Sequence, residues 1–247
     1  MIFPKIPLTQ FALNASKLSF FFACFLGGEA IAQTLPLTEN LINLDSPEGE
    51  SLLFASQARR DYLPLSVQFV SQDNLAYCGV ASMIMVLNAL GIEAPEAPEY
   101  NTYRVFTQEN FFNNPKTQAV LPKETVMQQG MTLAELTGFL QSYGLDTNTY
   151  HGGEISLAEF RQRIITNLGQ PDNFVLVNYL RSEIGQERGG HISPIAAYNE
   201  ESDRFLILDV ARYKYPPIWV SVEELWHSTN TIDSTSGKTR GFVLISK

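Results

Sequence analysis

Gln72-Asp-Asn-Leu-Ala-Tyr-Cys78-Gly79-Val-Ala-Ser-Met-Ile-Met-Val-Leu-Asn-Ala-Leu90 decides the architecture, because a polar loop, a thiol and an apolar helix follow one another in a single run. From Gly79 onward Val80, Met83, Ile84, Leu87 and Leu90 recur at helical spacing, and Gly91 follows as a stop. Cys78 is therefore expected at a helix N-terminus, where unpaired N–H groups favour an anion. A thiol attacks a carbonyl only as thiolate, so its pKa must be lowered from about 8.5 or a base must stand beside it.

Working outward, Gly190-His191 opens one strand-like run and Leu208-Asp209 closes the next, with the polar turn Asn199 to Asp203 between them. An antiparallel pair joined by that turn brings His191 and Asp209 to the same open end of a hairpin. His191 is then the candidate general base and acid, and Asp209 the group that orients it. Gln72, six residues before the thiol, offers a side-chain amide that, with the Cys78 N–H, can donate to the oxyanion of a tetrahedral intermediate. A single cysteine in an apolar helix is more often inert packing, and a single histidine at a strand start is more often just hydrogen-bonded. The order Gln, Cys-Gly, His, Asp is what points to a thiol nucleophile.

The rest of the chain reads as helices first and strands second. Thr132-x-x-Glu135 and Ser156-x-x-Glu159 are capping boxes opening helices to about Tyr143 and Leu168, and Ser221-x-x-Glu224 starts a short helix through His227. Strands are expected at 174–180, 191–198, 205–210, 218–220 and 241–246. Residues 33–50 read as an extended entry segment, and residues 91–123 as a long loop with one short helix. The order gives an α+β class, with the nucleophile helix packed on a mainly antiparallel sheet.

Three stretches resemble the phytochelatin synthase family in its short, catalytic-domain-only form: Ala76-Tyr-Cys-Gly-Val-Ala-Ser82 with Val86-Leu-Asn-Ala-Leu90, Gly190-His-Ile-Ser-Pro-Ile195, and Ile207-Leu-Asp-Val-Ala-Arg-Tyr-Lys-Tyr-Pro-Pro217. With Asn178-Tyr-Leu-Arg-Ser182 they cover most of residues 60–245, and the string from Asp209 to Pro217 is the most specific. The resemblance implies a papain-like cysteine-protease fold over residues 33–247 and glutathione as substrate, cleaved at its Cys–Gly bond. It implies Cys78 as the nucleophile forming a γ-glutamylcysteinyl thioester, His191 as acid and base, Asp209 as its partner and Gln72 as oxyanion donor. Acyl transfer to a second glutathione gives phytochelatin, and transfer to water is hydrolysis. Plant-type members carry a further cysteine-rich C-terminal region; this sequence stops at Lys247 without one, so hydrolysis is the expected outcome.

Glutathione carries two carboxylates and an α-amine, so its pocket needs an arginine and polar acceptors. Arg181, Arg212 and Arg240 are candidates. Arg240, which begins the last strand and resembles a substrate-contacting position of the family, is expected to bind substrate with Asn178 and Gly190 as neighbours. No tightly bound cofactor is expected: Cys78 and His151, His191 and His227 show no paired metal-ligand spacing. A heavy-metal ion such as Cd2+ would enter as the metal thiolate of glutathione, on the strength of the resemblance.

Residues 1–32 read as a secretory signal, with Lys5 and Lys17 flanking an apolar Leu18 to Leu26 and a small-residue site at Ala30-Ile-Ala32. Export to the periplasm or outside the cell follows, and an uncleaved N-terminal anchor is the alternative. Cleavage removes Cys24 and leaves Cys78 as the only thiol. The remaining domain holds fifteen basic and twenty-five acidic residues, so nucleic acid is not an expected partner. No integral membrane partner is expected, and a homodimer is left open. Two other functions compete. A leader-peptide-type cysteine protease shares the Gln-x5-Cys-Gly helix but normally continues into membrane helices, and a noncatalytic metal or thiol buffer needs ligand clusters that the sequence does not contain.

Overall fold

The computed structural model describes residues 34–247; the expected export signal lies outside the described residues. The N-terminal part comprises β1 (Ile42–Asn43) and the helices α1 (Pro47–Ala55), α2 (Tyr62–Val67), α3 (Cys78–Ala89), α4 (Pro115–Val120), α5 (Lys123–Gln129) and α6 (Leu133–Ser142). There follow β2 (Asp146–His151), α7 (Leu157–Leu168), β3 (Asn173–Leu180), β4 (Gly190–Asn199), β5 (Arg204–Ile207), β6 (Ile218–Ser221), α8 (Val222–Thr229) and β7 (Gly241–Ser246). The strands form one sheet in the order β1-β6-β5-β4-β3-β7-β2, antiparallel at every pairing. This is the α+β arrangement expected, with α3, the helix that begins at Cys78, against the sheet.

Both sheet faces are covered, which explains why β3 reads Phe-Val-Leu-Val without a polar alternate. Phe174 and Leu176 turn toward a core shared with α3 and α6, while Val175 and Val177 turn toward Phe160, Ile164 and Leu168 of α7 and Leu225 of α8. The helix α3 is buried all round, from Gly79 through Leu87, so the stripe read from the sequence is only part of its contact surface. Its other side is covered by the segment that carries Phe106, Phe111 and Phe112, whose rings pack edge-on against Phe139 and Tyr143. Each fully buried apolar side chain of this kind contributes about 1.5–3 kcal/mol. Gly91 ends the helix at φ +59°, a left-handed conformation that suits glycine.

The capping boxes at Thr132 and Ser156 form as read, each hydroxyl accepting the N–H three residues on while the glutamate accepts the cap N–H. Ser221 accepts the Glu224 N–H at the start of α8. Three expectations need correction. Residues 33–50 are not simply extended: Ser46 accepts the Gly49 N–H and Pro47 takes the first helical position, so α1 begins inside that segment. Residues 91–123 hold two 3₁₀ turns (Pro98–Tyr100 and Asn110–Asn113) besides α4, because Asn114 caps α4 and the three phenylalanines anchor the chain. The expected strand 205–210 leaves the regular ladder at Ile207, after a register shift between Ile195 and Ala197. β2 escaped the sequence reading because its Asp-Thr-Asn-Thr-Tyr-His is the half-polar composition of an edge strand.

Candidate active site

Cys78 is the first residue of α3, and its N-cap, Tyr77, makes no side-chain capping bond. The first-turn N–H groups therefore have no side-chain oxygen in front of them, and their partial positive charge falls on the thiol. Ser82 fixes this end of the helix to the sheet: its hydroxyl lies 2.7 Å from the Cys78 carbonyl and 3.1 Å from that of Ile192.

His191 and the backbone of Ile192 are the groups that act most strongly on the ionisation of the thiol. Burial pushes its pKa up, but the bond and charge of His191, the Ile192 N–H and the charge of Arg181 outweigh burial and hold it below the ordinary thiol value. His191 is 4% exposed. Burial pushes the imidazole down, the Asp209 charge and hydrogen bond push it up, and the net direction is upward. Its Nε2 stands 2.9 Å from Asp209 Oδ1 and 2.9 Å from the Ser193 hydroxyl, which itself accepts the Val210 N–H at 3.3 Å. With Nε2 so engaged, Nδ1 is the nitrogen left for the thiol.

Asp209 is fully buried and yet anionic, because its oxygens collect an unusual number of donors. Arg181 binds it with two N–H groups at 2.7 and 2.8 Å, the Ala211 N–H donates at 2.9 Å, and His191 completes the set. Burial alone would raise its pKa; the positive neighbours bring it far below the usual carboxylate range. Arg181 also donates to Gln186 Oε1 and stacks near the rings of Tyr179 and Tyr215. It is thus committed to Asp209. Arg212 lies over the Phe69 ring, 4.7 Å from its centre, and does not line the cavity.

Beside the thiol opens a cavity of about 340 Å³ lined by Cys78, His191, Asn178, Gly190 and Arg240 among others. All three residues expected to bind substrate are therefore brought together here. Arg240 is held from one side, Nη1 donating to the Thr231 hydroxyl at 3.1 Å and the Ile232 carbonyl at 2.7 Å. Its Nη2 and Nε face Gly190, where a Cβ would stand 3.2 and 3.5 Å away. The absent side chain at Gly190 keeps that edge of the guanidinium clear. Glu135 and Asp233 also line the cavity. The sequence showed Glu135 only as a helix cap and gave no signal for Asp233, since their meeting depends on how the 231–239 loop folds back.

Gln72 is buried and does not line the cavity. Its Nε2 donates to the Asn74 carbonyl at 2.6 Å, and its backbone N–H to the Val210 carbonyl, one residue beyond Asp209. Among the described residues no group of three or more His, Cys, Asp or Glu is arranged to hold a metal ion.

The family model for phytochelatin synthase matches residues 32–242. Curated relatives include glutathione gamma-glutamylcysteinyltransferase 3 of Lotus japonicus, 34% identical over 83% of this chain and 42% of its own length. Glutathione gamma-glutamylcysteinyltransferase 1 of Arabidopsis thaliana is 32% identical over 83% of this chain and 42% of its own, and the Schizosaccharomyces pombe enzyme of that name 31% identical over 85% and 50%. The chain thus spans half or less of the length of these relatives. Among solved structures, the Xylella fastidiosa cysteine protease xylellain aligns with 80% of this chain and 89% of its own at 11% identity and a TM-score of 0.43. With a helix-borne thiol, a buried histidine and aspartate, and a family match over most of its length, the chain belongs to the phytochelatin synthase family.

Proposed function

We propose that the protein is a glutathione γ-glutamylcysteinyltransferase that also transfers the acyl group to water. The observation that carries this reading is the juxtaposition of the Cys78–His191–Asp209 relay with a cavity that presents both a guanidinium and carboxylates. Arg240 suits the α-carboxylate of the γ-glutamyl group, and Glu135 and Asp233 suit its ammonium. A substrate anchored there places the cysteinyl carbonyl at the thiol.

The Cys78 thiolate attacks that carbonyl carbon, and the developing oxyanion is met by the Cys78 N–H; Gln72, which does not line the free cavity, is read as the second donor through the Nε2 hydrogen not given to the Asn74 carbonyl. Collapse breaks the C–N bond to glycine, whose nitrogen takes a proton from His191, and leaves a thioester on Cys78. Water or the α-amine of a second glutathione then attacks, giving its proton to His191, and the thiolate departs. Asp209 keeps the imidazole oriented and stabilises its charged form throughout. A heavy-metal ion enters this scheme as a thiolate of the glutathione substrate. The Lys5 to Ala32 pattern supports export of the enzyme.

The test is to incubate the protein with glutathione, with and without cadmium, and to separate glycine, γ-glutamylcysteine and phytochelatin. Glycine release that Cys78→Ala abolishes is the expected result, and an early-quenched sample should carry γ-glutamylcysteine minus water on Cys78. Undiminished release by the alanine variant, or an adduct that retains glycine, rejects the mechanism.

A further inference from the structure

Gln108 takes no part in the cavity, yet it is buried and its side-chain amide grips both peptide groups that flank Gln72. Its Nε2 donates to the Ser71 carbonyl at 2.9 Å, and its Oε1 accepts the Asp73 N–H at 2.9 Å. Together with the Gln72 N–H to the Val210 carbonyl at 2.8 Å, three hydrogen bonds fix the backbone of residues 71–73. The segment carrying Gln108 is in turn gripped by a second amide of the same kind: Asn88 of α3 donates to the Phe106 carbonyl and accepts the Phe106 N–H, both at 2.9 Å. Asn110 closes the turn between them, accepting the Thr107 N–H and donating to the Val105 carbonyl, each at 2.9 Å.

A continuous frame of amide hydrogen bonds therefore runs from the helix that carries Cys78, through Asn88 and Gln108, to the backbone of Gln72. We propose that Gln108 is a positioning residue for acylation, setting where the Gln72 amide stands relative to the thiol. This rests on the reading of Gln72 as an oxyanion donor.

Gln72 needs such a frame. Its Nε2 carries two hydrogens, one given to the Asn74 carbonyl, which leaves one for an oxyanion. Its Oε1 is buried without a partner, so the Asn74 bond is all that holds the side chain itself, and the backbone beneath it sets where that bond is made. Preorganised donors lose their value quickly when displaced: a 1 Å error in placement costs about a hundredfold in rate. The competing view, that Gln108 merely satisfies buried peptide groups, predicts loss of stability without dependence on Gln72.

A double-mutant cycle separates the two. For the unmutated protein, Gln108→Ala, Gln72→Ala and the double variant, kcat and KM for glycine release are measured alongside the rate at which iodoacetamide alkylates Cys78. Alkylation at sp³ carbon forms no oxyanion, so it reports the folded thiol site and not the donors. Gln72→Ala should lower kcat about a hundredfold. Gln108→Ala should lower it about tenfold, with KM and alkylation within about twofold of the parent, and should change kcat less than about twofold when Gln72 is already alanine. Gln108→Glu keeps the acceptor for the Asp73 N–H and loses the donor, so it should fall between; it carries the same cycle if the alanine variant does not fold. Equal kcat losses in both Gln72 backgrounds, or alkylation slowed in step with kcat, overturn the proposal. Parent-like kcat in Gln72→Ala is a different pattern, which rejects the oxyanion reading and the proposal with it.

Discussion

At the scale of single residues, the two reacting groups have opposite displacements. Cys78 is held below its ordinary thiol pKa and His191 above its ordinary imidazole pKa, so thiolate and imidazolium coexist over a wider pH range than free side chains allow. Cys78 alkylation by iodoacetamide should therefore rise with an inflection below pH 9, and His191→Gln should move that inflection upward, because burial then acts without its main counterweight. An unchanged profile would show that His191 does not activate the thiol. Arg240→Ala should lower kcat/KM for glutathione about tenfold or more, the value of a charge-assisted hydrogen bond, and Arg240→Lys should lose less because it keeps the charge. An alanine variant within about twofold of the parent would move the carboxylate contact elsewhere in the cavity. The meeting of Cys78, His191 and Asp209 was legible in the sequence, because a thiol at the head of an apolar helical run and a histidine and aspartate at the open end of one hairpin are each written locally. Arg181 was not: its type fits both a substrate clamp and an internal counter-ion, and only the fold shows it gripping Asp209. Gln108 was equally hidden, since a glutamine bonded to backbone thirty-five or more residues away leaves no periodic trace.

At the scale of elements, Gly241 shows how the sheet constrains the site. It pairs with both Asn178 and His151, and a Cβ there would sit 1.9 Å from the Tyr150 carbonyl oxygen. Backbone cannot yield as a side-chain tip can, so Gly241→Ala should force β2 from β7 and displace the neighbouring Arg240. A fall of several degrees in melting temperature together with reduced kcat/KM is expected; a parent-like variant would mean that the two strands pass each other less closely. Helix starts were the most legible elements, because a capping box is written in four consecutive residues. The edge strand β2 and the turns between Gly91 and Lys123 were the least, because they are stabilised by partners supplied from distant segments.

For the molecule as a whole, one buried acid outside the site has a measurable effect. Asp61 is 2% exposed, its Oδ2 has no hydrogen-bond partner, and burial pushes its pKa up to about 9. The folded state therefore keeps a proton there that the unfolded chain releases near pH 4, so this residue lowers stability progressively as pH rises from about 4 to 9. Asp61→Asn should be more stable than the parent at pH 8 than at pH 5, as read from urea midpoints; an equal difference at both pH values would show that Asp61 is already ionised in the folded protein. The sheet order carries a last consequence. β7, the last of the described strands, lies between β3 and β2, so a ribosome must release residues 241–246 before those two edges are bridged and Arg240 reaches its place. Until then the nascent chain displays two open strand edges and a half-built cavity. Synthesis that stalls short of β7 leaves an aggregation-prone fragment, and the cavity beside the thiol is completed only once residues 240–246 have been made.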